Sequence, residues 1–382
     1  MNSNAAGKPV SLLAEFNATE VLNLLADGAY ITDTERHIVF WNDAARRITG
    51  WEAKDVVGHR CGDNILVHVD KDGHELCGRE HCPLHRSIVT GQASAEPILV
   101  FAQQRSGDRI PLEVTVSPIR NHGGEVIGGI EMFRDLTESY QDQLRAKEIQ
   151  DLAVHSELPR DDRVSFEFCY EPRDIVGGDF YRIENLDADR YAILVADARG
   201  HGVSAALYTM LLRSLWLEHH RVLDSPARFM GLVNEPLHAL VQESGFFGSA
   251  VLAIYDAATG QVRLVRAGHP APLRFQRGGA TEPIGKPGPA LGLFQHTHYH
   301  QTNEQLAPGD ALLFYTDGAT ELFDREDHEL GTEGLLGLAG AQAWGSDLAG
   351  FHLDALKEQL LRFSNEIHLP DDLTLVKLNR LR

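Results

Sequence analysis

With 382 residues, 43% hydrophobic and 24% charged, the chain has the composition of an ordinary folded protein of two or three domains. A formal net charge of −20 argues against a nucleic-acid-binding surface, because neutralising phosphates needs clustered Lys and Arg. Residues 1–19 show no basic stretch followed by an apolar core, and no apolar run approaches the roughly 18 residues of a membrane span. With four cysteines in so long a chain, the expectation is a cytoplasmic protein rather than a secreted disulfide scaffold.

In chain order, residues 1–19 are polar and expected to be disordered. A short helix is expected over 21–25, then strands over 29–32 and 38–41, with Asp33-Thr34-Glu35-Arg36 as the turn. The stretch from Trp41 reads as a short helix ended by Gly50. Alternating strands follow over 110–117 and 126–133, joined at His122-Gly123-Gly124.

Trp41-Asn42, Gly50-Trp51, Val57-Gly58, the Ser106–Pro111 run, Gly128-Gly129 and Arg134-Asp135-Leu136-Thr137-Glu138, in that order and spacing, resemble a PAS sensor domain over residues 20–138. The resemblance implies a small antiparallel sheet with flanking helices that senses a ligand, cofactor or partner not named by the sequence. Inside it, Cys61, Cys77 and Cys82 are interleaved with His59, His68, His74, His81 and His85. Thiolate and imidazole suit zinc or iron. The C-x15-C-x4-C spacing lacks paired C-x2-C knuckles, so three readings stay open: plain reduced thiols, a sensor metal, or a redox-sensitive thiol pair.

Residues 136–158 read as a helix ended by Pro159, with Leu136, Tyr140, Leu144, Ile149 and Leu152 as its stripe. Alone in water such a helix is marginal, so a neighbouring domain or a dimer partner is expected to cover it. The linker is placed at 139–160.

The stretch 174–210 organises the remainder. Asp179 follows Gly177-Gly178, and Asp197 precedes Gly200-His201-Gly202. Between them Tyr191–Ala196 is apolar throughout, the pattern of a strand buried on both faces. Carboxylates at the ends of buried strands must dispose of their charge, and a hard cation with oxygen ligands does so. After Gly202 a helix is expected with Leu207, Met210, Leu211, Ser214 and Leu215 on one face. A strand over 166–170, a hairpin over 249–266, a buried strand over 311–316 ending in Asp317-Gly318, helices near 335–338 and 353–363, and a last strand after Asp371-Asp372 complete the pattern. Asp179, Asp197, Asp317 and Asp371 (with Asp372 beside it) thus recur at strand ends. With shared waters they suit two divalent cations about 3.5–4 Å apart, an arrangement used for phosphoryl hydrolysis.

GGDFY, DARGHG, AGHP, YTDG and DDLT, in that order, closely resemble the SpoIIE-type branch of the metal-dependent, type-2C-like (PPM) serine/threonine protein phosphatases, over residues 161–382. The resemblance implies an αββα sandwich, making the whole chain α+β. It implies two Mn²⁺ or Mg²⁺ ions: one on Asp179, Asp197 and the Ala198 carbonyl, the other on Asp317 and Asp371 with Asp197. Gly177, Gly178, Gly200 and Gly202 would shape the turns. Two positions depart from the usual pattern, Arg182 where an acid is common and Ala196 where Gly is frequent, and Arg182 puts substrate contacts in doubt.

The expectation is a signalling phosphatase that hydrolyses phosphoserine or phosphothreonine under PAS control. By resemblance its substrate is a phosphorylated anti-sigma-factor antagonist and its state a homodimer, with no nucleic acid or membrane partner. No cysteine is followed six residues later by Arg, so the C-x5-R loop of cysteine phosphatases is absent. The rivals are a non-catalytic docking module and a ligand or redox sensor with weak phosphatase output.

Overall fold

The computed structural model describes residues 17–77, 81–154, 157–277, 280–343, 352–365 and 369–382. The segment expected to be disordered therefore falls almost wholly outside the described residues. The chain divides into two compact units, Met1–Asp142 and Gln143–Arg382.

In the first unit α1 (Ala18–Asn23) is started by a capping box, Asn17 and Glu20 each accepting the other's amide. β1 (Gly28–Asp33) and β2 (Ile38–Trp41) form a hairpin, and α2 (Asp43–Thr49) follows. Asn42 starts α2 by accepting from the Ala45 amide, and Gly50 stops it at φ 75°. After α3 (Ala53–Val56) and α4 (Pro83–Thr90) come β3 (Ile98–Gln103), β4 (Arg109–Arg120) and β5 (Val126–Asp135). The antiparallel sheet runs β2-β1-β5-β4-β3. One face, with Tyr30, Val100, Leu112, Val114 and Phe133, is buried under Trp41, Val56, Leu84 and Ile88.

α5 (Thr137–Val154) runs across the division between the units. Its stripe differs from the expected one. Gln150, Ala153 and Val154 are buried, whereas Ile149 and Leu152 are 61% and 82% exposed. Gln150 can be buried on this face because its amide finds polar partners there.

The second unit contains β6 (Val164–Glu171), β7 (Asp179–Asn185), β8 (Arg190–Ala198), α6 (Val203–His219), α7 (Pro226–Ser244), β9 (Gly248–Asp256) and β10 (Gln261–Ala267). It continues with β11 (Leu273–Phe275), β12 (Thr281–Pro283), β13 (Thr302–Gln305), β14 (Ala311–Tyr315), α8 (Gly331–Ala343), α9 (Leu353–Ser364) and β15 (Leu373–Arg380). Two antiparallel sheets, β13-β10-β9-β8-β7 and β12-β11-β14-β15-β6, lie face to face. Alternation along β14 assigns the layers: Leu312 and Phe314 join the inter-sheet core, while Leu313 and Tyr315 join α8 and α9. Helices α6 and α7 cover the other sheet, which completes an αββα sandwich. Strand β8 is apolar because it is covered on both faces, as its sequence implies.

Helix α6 is rotated from the expected phase. Ala205, Tyr208, Thr209, Leu212, Leu215 and Trp216 are buried, and Leu207 is 65% exposed. Small residues set the phase: Ala205 sits within van der Waals reach of Gly178, which a longer side chain would forbid. Among the described residues no helix is long and apolar enough to cross a membrane.

His269, in the segment between β10 and β11, is buried with Nδ1 2.6 Å from Ser249 Oγ. Burial, with Arg266 nearby, pushes it down to about 3. The unfolded chain then binds one more proton than the native one at any pH between about 3 and 6.5, so stability is lost as pH falls through that window. Thermal melts should show His269→Asn narrowing the stability gap between neutral and mildly acidic solution, by up to roughly 1.4 kcal/mol per pH unit. An unchanged gap would remove His269 from the account.

Candidate functional site

The antiparallel register of β7 and β8 sets Asp179 directly opposite Asp197. The turn before β7 is pinned to the end of β8, where the Ala198 amide donates to the Gly178 carbonyl at 3.0 Å. Gly178 is required by space: a Cβ there would lie 2.9 Å from the Ala205 methyl and 3.0 Å from the Ala198 oxygen. Gly177 is similarly crowded by the Tyr170 hydroxyl. Gly200 and Gly202 are needed for a different reason, with φ at 91° and 77°.

The other sheet supplies the remaining acids. Asp317 begins a tight turn straight after β14, and Asp371-Asp372 precede β15. A Cβ on Gly318 would stand 2.0 Å from the Asp372 carbonyl oxygen, so glycine lets these two turns touch. Asp179 Oδ2 accepts from Thr316 Oγ1 at 2.8 Å and from Thr374 Oγ1 at 2.6 Å. Asp372 accepts from the Gly178 amide at 2.6 Å and the Arg173 amide at 2.7 Å.

The electrostatics are those of charges crowded out of water. Burial, followed by Asp317, Asp371, Asp372 and Glu321, pushes Asp197 up to about 8. Burial and the Asp371 charge push Asp317 up to about 6. Asp179, buried and facing Asp197, is raised well above the ordinary carboxylate range. The charges acting most strongly on Asp197 are thus all negative. Hard divalent cations fit such a donor set. Among the described residues, no three of these carboxylates bring oxygens within 4.8 Å of one another, so they frame an opening rather than a single tight cage.

Arg182 lies on the opposite face of β7 from Asp179 by strand alternation, with Nε 3.1 Å from Glu184. The exposed rim carries Arg199, its guanidinium over the Phe247 ring, and His201, bonded to Asp174 at 2.7 Å.

Several participants had little or no signal in the sequence. Thr316 and Thr374 are ordinary strand residues by pattern, although each stands within two positions of an aspartate. Glu321 follows Asp317 by one helical turn, which does carry a signal. Gln150 has none. Its Nε2 donates to the Gly177 carbonyl at 2.7 Å and to Thr209 Oγ1 at 3.0 Å, and its Oε1 accepts from the Gly177 amide at 3.2 Å. In the first unit Cys61, Cys77 and Cys82 are all buried.

The family model of stage II sporulation protein E (SpoIIE) matches residues 187–381, and a PAS domain model matches residues 26–138. Phosphoserine phosphatase RsbP of Bacillus subtilis is 29% identical over 163 residues, 42% of this chain and 40% of its own. Phosphoserine phosphatase RsbU of the same organism is 24% identical over 177 residues, 46% of this chain and 52% of its own. The chain thus spans about half the length, or less, of these curated relatives. Among solved structures, the SiaA-PP2C domain of Pseudomonas aeruginosa matches with a TM-score of 0.55 at 23% identity, over 63% of this chain and 97% of that one. That likeness establishes a PP2C-type fold for the C-terminal unit.

Proposed function

From the premise that this chain belongs to the SpoIIE family, we propose that it is a metal-dependent protein phosphatase acting on phosphoserine or phosphothreonine in a partner protein, governed by its PAS domain. The observation that carries this reading is the set of crowded, mutually repelling carboxylates at the ends of two facing sheets, Asp179 and Asp372 buried and Asp197, Asp317 and Asp371 half-buried. Retaining that charge is costly for a module that only docks, and useful to one that binds cations.

Asp179, Asp197 and the Ala198 carbonyl would hold one Mn²⁺ or Mg²⁺, and Asp317 and Asp371 with Asp197 a second. Such a pair, when bound, activates water and neutralises charge on a phosphoryl group. The chain's own residues fix the frame. Thr316 and Thr374 orient Asp179, the Gly178 and Arg173 amides hold Asp372, and Arg199 offers an exposed cation beside the opening. Arg182 is turned away from Asp179 and does not obstruct it.

The names of RsbP and RsbU support phosphoserine as the substrate group. A phosphorylated anti-sigma-factor antagonist is the substrate protein we favour, in a cytoplasmic setting. A homodimer would give the exposed Ile149 and Leu152 of α5 a partner.

Phosphate release from a phosphoserine peptide and from p-nitrophenyl phosphate tests the proposal. Turnover should appear with Mn²⁺ and vanish with a chelator. A folded protein inert on both substrates with every divalent cation tried would leave only docking.

A further inference from the structure

The core of the first unit holds polar groups that neither its packing nor the proposed phosphatase reaction accounts for. Glu131 on β5 and His68 are 1% and 3% exposed. Their Oε1 and Nε2 face one another at 3.7 Å, too far for a hydrogen bond, and among the described residues neither atom has a hydrogen-bond partner. Thr32 Oγ1, on the same sheet face by register with Gly129, is also buried and has no hydrogen-bond partner among the described residues. Unpaired buried donors and acceptors are costly, so three in one small core call for a cause.

Cys61 and Cys82 lie in the same buried cluster of this unit, and a Cβ on Gly62, next to Cys61, would meet the Cys77 Cβ at 3.4 Å. Glu131 neighbours each of the three thiols, and Cys77 has both of the others near it. Burial pushes all three thiols up, so each needs a bound cation to stay ionised. Cys77 Sγ already accepts the His68 amide at 3.1 Å. Amide bonds to sulfur are a device by which proteins tune thiolate ligands of metals.

We propose that this core binds a thiophilic metal centre, zinc or an iron–sulfur cluster, through the thiolates of Cys61, Cys77 and Cys82 and the Nε2 of His68, with Glu131 adjoining. A disulfide between two of the thiols leaves Nε2 and Oε1 orphaned, whereas a metal engages the imidazole and the sulfurs together. Among the described residues no cysteine belongs to a trio of donor atoms within 4.8 Å. A lone tetrahedral zinc holds its sulfurs about 3.8 Å apart, so loading either draws the thiols inward or takes a polynuclear cluster. Each thiol releases its proton on binding. The inference is independent of the phosphatase reading.

The test uses the full chain purified anaerobically without chelator. Zinc, iron and acid-labile sulfide are measured per chain, and the stripped chain is titrated with Co²⁺. The expected result is roughly one centre per chain, and a thiolate-to-cobalt charge-transfer band that carboxylate sites elsewhere cannot produce. Iron with sulfide and a visible absorption identifies a cluster, and zinc alone identifies a mononuclear site. Cys77→Ser and Cys82→Ser should lose the centre and the band, while Cys169→Ser keeps both. If those variants do not fold, the parent's cobalt band decides the question and His68→Gln serves as the second variant. A parent chain with no cobalt band, and no zinc or iron beyond that kept by Cys77→Ser, overturns the proposal.

Discussion

Asp317→Asn should lower phosphate release by two to three orders of magnitude while leaving the melting temperature unchanged or slightly raised. The substitution keeps the side chain's shape in the turn after β14. It removes one of the charges that would hold a cation and so stabilise the phosphoryl group, a loss of the size seen when one preorganised electrostatic contact is deleted. The sign of the stability change comes from the same crowding. Asp317 is pushed up to about 6 by burial and Asp371, and it raises Asp197 in turn, so in metal-free protein a neutral Asn relieves repulsion. Steady-state turnover at saturating Mn²⁺ and a chelated thermal melt, on the same preparation, check both halves. A well-folded variant within a few-fold of the parent would remove Asp317 from the metal site.

Gln150→Ala should cost about 10- to 100-fold in turnover and raise the Mn²⁺ concentration needed for half activity. The change strips the Gly177 carbonyl and amide of buried partners at once. Each loss is worth about 1–3 kcal/mol locally, enough to let the turn before Asp179 move. A misplacement of about 1 Å at a reacting centre costs on the order of 100-fold. Gln150→Glu, which keeps an acceptor for the Gly177 amide, should fall between the two. Activity within two-fold of the parent and an unshifted Mn²⁺ requirement would show that α5 merely covers the turn. The same helix places Tyr140 edge-on to Phe101 in the first unit, at 5.3 Å between ring centres, so its two ends are each engaged in a different unit.

What the sequence made legible is what burial on two faces imposes. Strands β8 and β14 could be read because 191–196 and 311–315 are apolar at every inward and outward position, and the aspartates after them stood out against that background. The helices were harder because small residues, not large ones, decide their phase. Ala205 and Thr209 on α6, and Gln150 and Ala153 on α5, face inward because the backbone passes close to a glycine turn. Hydrophobicity alone selects Leu207, Ile149 and Leu152 instead, and these are exposed. The adjacent pair Asp371 and Asp372 was ambiguous for another reason. Identical neighbours point to opposite sides near a strand, and only the position of the Gly178 amide shows that Asp372 is the one tied to the first turn. The cysteines were visible as a cluster, but their burial against His68 and Glu131 depends on contacts that span much of the first unit.

The grip of Thr316 and Thr374 on Asp179 has a consequence for how variants are interpreted. Asp179 belongs to one sheet and both hydroxyls come from the other, so this carboxylate is a rivet through the sandwich. Replacing it removes a prospective ligand and also deletes two hydrogen bonds that tie the sheets together at this end. Inactivity of an Asp179 variant therefore confounds chemistry with mechanics. Thr316→Val and Thr374→Val separate the two, because they loosen the rivet while every prospective carboxylate ligand stays in place.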